Sequence, residues 1–193
     1  MKTYDRNTLD IGNFKILRSC VRDYKPEIIV NAAAYTSVDK AESERDKALR
    51  INAEAVAVLA DEAKKLNACL IHFSTDYVFD GRKLNAYQEI DKTNPQSVYG
   101  KTKLQGEEAI KESECNHLIF RTSWIYAIRG SNFAKNIIRL AKEKDELKVV
   151  NDQFGVPTSA ELVADITALC LNQIAQENIL LQNVNGTYHL TPS

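Results

Sequence analysis

Tyr99 and Lys103 stand four residues apart in the run V-Y-G-K-T-K-L. On a helix that spacing puts both side chains on one face. An ammonium beside a phenol favours the phenolate and is expected to lower the tyrosine pKa. A phenol tuned in that way gives or takes a proton at a carbonyl or alcohol oxygen. With eight tyrosines in the chain, one such pair is no evidence by itself. Its context gives it weight, because it opens a helix just after a loop rich in hydroxyls. Ser74-Thr75-Asp76-Tyr77 supplies those groups, with Thr75 a hydrogen-bond donor for a substrate oxygen and Tyr77 a ring to stack on or bond a ligand. On its own a Ser-Thr-Asp run reads more readily as a turn or a helix cap. Asn31-Ala32-Ala33-Ala34 carries small side chains that let a flat ligand approach the backbone, although tight helix–sheet packing explains them equally well. Trp124, in R-T-S-W-I-Y, is a candidate ligand wall. The three histidines, at 72, 117 and 189, are scattered and read as structural. The charged stretch from Lys40 to Arg50 reads as a solvated face.

The elements that would position these residues alternate in period. Ile16, Leu17, Cys20, Val21 and Tyr24 recur at helical spacing, and Pro26 follows as a stop. Ile28-Ile29-Val30 is a short β-branched run. From about Asp46 to Leu66, the residues Leu49, Val56, Leu59, Ala60 and Ala63 mark one face of a long helix. Cys69 to Phe73 reads as a buried strand, Val98 to Lys111 as a helix and Leu118-Ile119-Phe120 as a third strand. Phe133 to Lys142 is predicted helical, Leu147 to Val150 strand-like and Glu161 to Ile174 helical. Apolar strands alternating with amphipathic helices predict an α/β fold, a doubly wound parallel sheet covered on both faces. In such sheets ligands lie outside the carboxyl ends of the strands. Asn31–Ala34, Ser74–Tyr77 and Arg121–Tyr126 are therefore expected to meet at one edge.

The 193 residues are 44% apolar and 26% charged, the balance of a soluble globular chain. A net charge of −1 gives no global field for nucleic acid or anionic lipid. No apolar run approaches the ~20 residues of a membrane span. The first twenty residues carry no secretory or transit pattern. The four cysteines form no C-x-x-C pair and suit a reducing compartment, so a cytoplasmic protein is expected.

Five runs in order, N-A-A-A-Y-T-S-V-D-K-A-E, F-S-T-D-Y-V-F-D-G, V-Y-G-K-T-K-L-Q-G-E, F-R-T-S-W-I-Y and N-D-Q-F-G-V-P-T-S-A-E-L, resemble the dTDP-4-dehydrorhamnose reductases of the extended short-chain dehydrogenase/reductase group. The resemblance extends from Leu9 to Leu190. It implies a Rossmann-like fold in which NADPH or NADH reduces the C4 carbonyl of a dTDP-6-deoxy-4-keto sugar. Thr75, Tyr99 and Lys103 would be catalytic, with Tyr99 protonating the developing alkoxide and Lys103 holding the cofactor ribose. Asp10 and Ile11 would lie by the adenine, and Ala33, Ala34, Tyr35 and Thr36 along the cofactor. Val38, Thr75, Asp76, Tyr77 and Trp124 would face the sugar nucleotide. Glu161 matches a position linked to Mg2+ at subunit contacts in some members, although an exposed acid near a helix N-terminus is the simpler reading. A homodimer is the association the resemblance allows for.

Complete members open with a strand, a glycine-rich turn and a helix that holds the cofactor pyrophosphate. The first two glycines here are Gly12 and Gly81. Residues 1–193 are therefore expected to form a single partial domain, lacking the first β-α unit and most of the C-terminal substrate-covering segment. Loss of that first unit is expected to expose a sheet edge. Two alternatives follow: a binding module similar to the regulatory subunit of methionine adenosyltransferase, or an inactive fragment.

Overall fold

A computed structural model describes residues 1–130, 132–176 and 185–192. The chain opens with helix α1 (Phe14–Tyr24), which is capped by the Asn13 side chain accepting from the Ile16 N–H. Strand β1 (Ile28–Asn31) follows, then the short helices α2 (Val38–Ala41) and α3 (Arg45–Leu49). A π-helical turn (Arg50–Glu54) leads directly into α4 (Ala55–Leu66). The long helix predicted from Asp46 to Leu66 is thus interrupted by one widened turn. Strand β2 (Cys69–Thr75), a 3-10 turn (Asp76–Val78), helix α5 (Val98–Ser113) and strand β3 (Asn116–Thr122) complete the central unit. Beyond it lie β4 (Ile125–Tyr126), α6 (Phe133–Glu143), β5 (Thr158–Ser159), α7 (Ala160–Gln176) and β6 (Gly186–His189).

Four strands form one parallel sheet in the order β1-β2-β3-β6, and β4 and β5 form a small parallel pair. Side chains alternate across the sheet, as the two-residue strand period requires. Leu70 and Ile119 pack with Leu17, Val21, Val56, Leu59 and Ile110 on the face covered by α1, α4 and α5. Cys69, Ile71, Leu118 and Phe120 face the other way, onto Cys170, Leu171 and Ile174 of α7. Helices on both faces are the doubly wound arrangement the alternation predicts. β1 is an edge strand, with Val30 about half exposed.

One expected strand is absent. Leu147–Val150 is irregular, and Val149 and Val150 lie exposed. A β-branched run becomes a strand only where a neighbour supplies ladder bonds and packing, and none is provided here. Conversely, β6 carries no strong apolar alternation. It is specified by its register against β3, with Leu118 opposite Gly186 and Arg121 opposite His189.

Candidate active site

The ends of the central strands meet at the expected edge, with Asn31 opposite His72 and Thr75 opposite Thr122. Helix α5 approaches that edge with its N-terminus. Ser97 caps it by accepting from the Gly100 N–H at 3.1 Å, and Glu42 accepts from the Val98 N–H at 2.8 Å. Tyr99, Lys103 and Glu107 then form one stripe, each four residues from the next, aimed at β2. Two glycines make the approach close enough. A Cβ at Gly100 would lie 2.2 Å from the Tyr77 carbonyl oxygen, and one at Gly106 would lie 2.3 Å from the Asn52 carbonyl oxygen.

Thr75, Tyr99 and Lys103 are gathered at this edge in two groups. The Tyr99 ring meets that of Tyr77 edge-on, at 5.6 Å between centroids, and Thr75 lies close enough to its phenol to favour the phenolate. The Thr75 hydroxyl also donates to Asp76 Oδ1 at 3.0 Å and accepts from the Tyr77 N–H at 3.2 Å. Burial pushes the Asp76 carboxyl above its usual range, against the hydrogen bond from Thr75. Lys103 turns inward instead. Its Nζ donates to the Phe73 carbonyl at 2.7 Å and lies 3.1 Å from His72 Nε2.

The expected lowering of the Tyr99 pKa is therefore corrected by the structure. Burial pushes the phenol up to about 12, and Thr75 only partly opposes this. The lysine amine that was to stabilise the phenolate is directed to the sheet instead. Tyr99 is held as the protonated phenol at neutral pH.

Below the trio, Ser74 and Arg121 converge on Glu107. The guanidinium of Arg121 donates twice to the carboxylate, at 2.9 and 2.7 Å, and the Ser74 hydroxyl donates at 2.6 Å. Burial works against the Glu107 carboxylate, yet Arg121 and Ser74 hold it below the usual range. Arg121 also stacks over Phe79, at 5.0 Å from the ring centroid. The cluster fastens α5 to both central strands beside Thr75.

The loop after β1 passes along the same edge. Ala33 is exposed and Ala34 half-buried. Tyr35 turns its hydroxyl away, to Glu44 Oε2 at 3.2 Å, while Thr36 is exposed. Val38, half-buried, opens α2, whose C-cap residue Glu42 caps α5. Asp10 lies on the loop before α1 and accepts from the Gly12 N–H at 2.9 Å, while Ile11 packs against the core. The Gly12 carbonyl in turn accepts from Arg50 Nε at 2.8 Å, so this loop is tied to the π-helical turn.

Asn52, in that turn, was not legible as a site residue. Fully buried, it accepts from the Tyr35 N–H at 2.8 Å, donates back to the Tyr35 carbonyl at 3.1 Å and reaches Thr102 Oγ1 at 3.2 Å. One amide thus locks the loop after β1 to the helix carrying Tyr99 and Lys103. The widened turn that places it is seen in the structure alone, because a π-turn leaves no clear compositional mark.

Trp124 follows β3 by two residues. Its φ of 44° lies in the left-handed region, a strain of about 1–3 kcal/mol for a residue other than glycine. The indole lies against Gly155, where an added Cβ would come within 2.6 Å of it, and Trp124 remains 42% exposed. Glu161 is exposed in the first turn of α7. Among the described residues no group of three or more His, Cys, Asp or Glu side chains is arranged to hold a metal ion. No described helix is long and apolar enough to cross a membrane.

Residues 1–193 match the family model described as the RmlD substrate binding domain. A dTDP-4-dehydrorhamnose reductase of Escherichia coli (strain K12) is 51% identical over 184 residues, covering 95% of this chain and 60% of that protein. One from Burkholderia thailandensis is 47% identical over 186 residues, covering 96% of this chain and 62% of that protein. The crystal structure of a dTDP-4-dehydrorhamnose reductase from Bacillus anthracis in complex with NADP superposes with a TM-score of 0.85 at 39% identity, covering 98% of this chain and 64% of the other. The chain thus spans about 60% of the length of the curated relatives it matches. Fold, motif order and matched length together place it in the RmlD substrate binding domain family, among relatives named dTDP-4-dehydrorhamnose reductase.

Proposed function

We propose that the chain is one Rossmann-like unit of an NAD(P)H-dependent reductase acting on the C4 carbonyl of dTDP-4-dehydro-L-rhamnose. The observation that carries this reading is the gathering of Thr75 and Tyr99 at the carboxyl edge of the sheet, with Lys103 one helical turn further along α5. The relatives' names and the NADP bound to the Bacillus anthracis protein support it.

The residues present fit the nicotinamide-ribose end of such a cofactor. Exposed Ala32 and Ala33 leave the backbone approachable at the end of β1, and Lys103, buried behind that edge, would supply its amine as a hydrogen-bond donor. When bound, the reduced nicotinamide supplies the hydride that adds to C4. Thr75 would hold the carbonyl oxygen by its hydroxyl. Tyr99, protonated because burial holds its pKa near 12, would donate its proton to that oxygen as the C–H bond forms. The Glu107–Arg121 pair keeps α5 in register so that the two hydroxyls stay together. Asp76, Tyr77 and Trp124 would line the sugar-nucleotide side, and Asp10 and Ile11 the adenine side. The free cysteines suit a cytoplasmic, reducing setting.

Incubating the chain with NADPH and dTDP-4-dehydro-L-rhamnose tests this reading, with absorbance and nucleotide-sugar chromatography as readouts. Cofactor oxidation matched by dTDP-L-rhamnose is expected, falling about 100- to 10,000-fold in Tyr99→Phe. A folded chain that forms no product at high enzyme and cofactor concentration contradicts it.

A further inference from the structure

The buried contact between His72 and Lys103 has a direction that the trio alone does not explain. His72 is fully buried, and Lys103 and Asn31 nearly so. A backbone N–H can only donate, and the Ala33 N–H lies 3.1 Å from Asn31 Oδ1. This fixes the Asn31 amide, so its Nδ2 is the atom 3.1 Å from His72 Nδ1. Nδ2 also only donates, so His72 Nδ1 must be the bare, accepting nitrogen. The single proton of the neutral imidazole then sits on Nε2 and points at Lys103 Nζ, 3.1 Å away. An ammonium has no lone pair to receive it, whereas a neutral amine does, and keeps an N–H for the Phe73 carbonyl at 2.7 Å.

We propose that His72 is a positioning residue for Lys103: the one-way chain Ala33→Asn31→His72→Lys103→Phe73 holds the lysine as the neutral amine in the ligand-free protein. A ligand that requires the ammonium must reverse the chain. His72 then moves its proton to Nδ1, the Asn31 amide turns its oxygen to the imidazole, and the Ala33 N–H is released to the sheet edge. Lysine protonation and the hydrogen-bonding capacity of the loop after β1 are thereby coupled. The role assigned to His72 rests on Lys103 belonging to the proposed site; the direction of the chain does not.

The surroundings leave the decision to these bonds. Burial lowers Lys103 to about 8, while Glu107, one turn along α5, pulls it upward. Glu107 is itself committed to Arg121 of β3, with Lys111 at 3.5 Å. From β2 the hydrogen-bond partners of the lysine are His72 and the Phe73 carbonyl, and from β1 Asn31 acts through the imidazole. Asp76, beyond β2, acts on Tyr77 and Tyr99. Burial and the nearby Lys103 both disfavour an imidazolium at His72.

NMR on the ligand-free chain, labelled at histidine and lysine, tests the proposal. At pH 9.5, above the lowered lysine value of about 8 and below the ordinary 10.5, we expect His72 as the neutral Nε2–H tautomer and Lys103 with the shifts of a neutral amine. An Nδ1–H tautomer, an imidazolium or a Lys103 ammonium at that pH overturns it. Asn31→Asp offers acceptors on both oxygens, so it would take the Ala33 N–H and the His72 Nδ1–H together. In that variant His72 is expected to switch tautomer, and the Lys103 titration midpoint to rise by about one pH unit or more. An unchanged tautomer and midpoint in a folded Asn31→Asp chain would also overturn it. None of these readouts involves cofactor or sugar, so their failure is distinct from a failure of the reductase reading.

Discussion

Two basic side chains lie buried side by side under the same sheet edge, and they are held in opposite ways. Arg121 is 4% exposed and forms a bidentate pair with Glu107. Lys103 is 1% exposed, and its hydrogen-bond partners are a backbone carbonyl and an imidazole. The first arrangement fixes a charge; the second leaves a proton free to move. A guanidinium that never deprotonates suits the bracing of α5, whereas an amine brought down to about 8 by burial suits a site where proton state matters. Both clusters are built from one stripe on α5 and one face of β2, where Leu70, His72 and Ser74 alternate toward the helix.

The contrast is broken most severely by removing the carboxylate. Glu107→Ala strands Arg121 in the core, and a loss of about 3–5 kcal/mol is expected in urea unfolding at pH 7. Acid should weaken the same cluster: Glu107 has a lowered folded pKa, so its contribution is complete above about 4.5 and is lost as pH falls through the folded value.

The Lys103 cluster should respond in the alkaline range instead. Its folded pKa of about 8 lies below the ordinary 10.5, so between these values the unfolded chain binds more protons. Stability should therefore rise with pH across that window, by roughly 3 kcal/mol from this group. The difference between unfolding curves of the wild type and Lys103→Met at pH 8 and pH 10.5 isolates it. A wild type that gains nothing relative to the variant would show that burial does not depress this lysine.

Lys103→Met itself should change stability at pH 7 by no more than about 2 kcal/mol, because lost bonds to Phe73 and His72 are set against removal of a buried amine. That is well short of the cost at Glu107. Ser74→Ala, which removes one hydrogen bond to a carboxylate already paired with Arg121, should cost about 1 kcal/mol.

What was legible in the sequence was whatever has a period or a fixed spacing. The alternation of β2 and the four-residue step from Tyr99 to Lys103 follow from strand and helix geometry, and both elements lie where expected. The partners across elements were not legible. His72 reads as an ordinary core histidine until the register of β1 sets Asn31 opposite it and α5 brings Lys103 over it. The expected Lys103–Tyr99 coupling failed for the same reason, since side-chain spacing does not say which acceptor an amine will choose. Asn52 was hidden by the π-turn. At Leu147–Val150 propensity misled, because strand formation needs a neighbour.

The central proposal is that Thr75 holds and Tyr99 protonates a carbonyl being reduced at C4, with Lys103 behind them on α5. Transfer of the label from NADPH deuterated at the transferable position tests it most directly. The account predicts dTDP-L-rhamnose one mass unit heavier, with the deuterium on C4 of the sugar, and none formed by a folded Tyr99→Phe chain in the same time. Label that stays in the cofactor while a folded wild-type chain is incubated with the keto sugar, or label transfer unaffected by Tyr99→Phe, would contradict it.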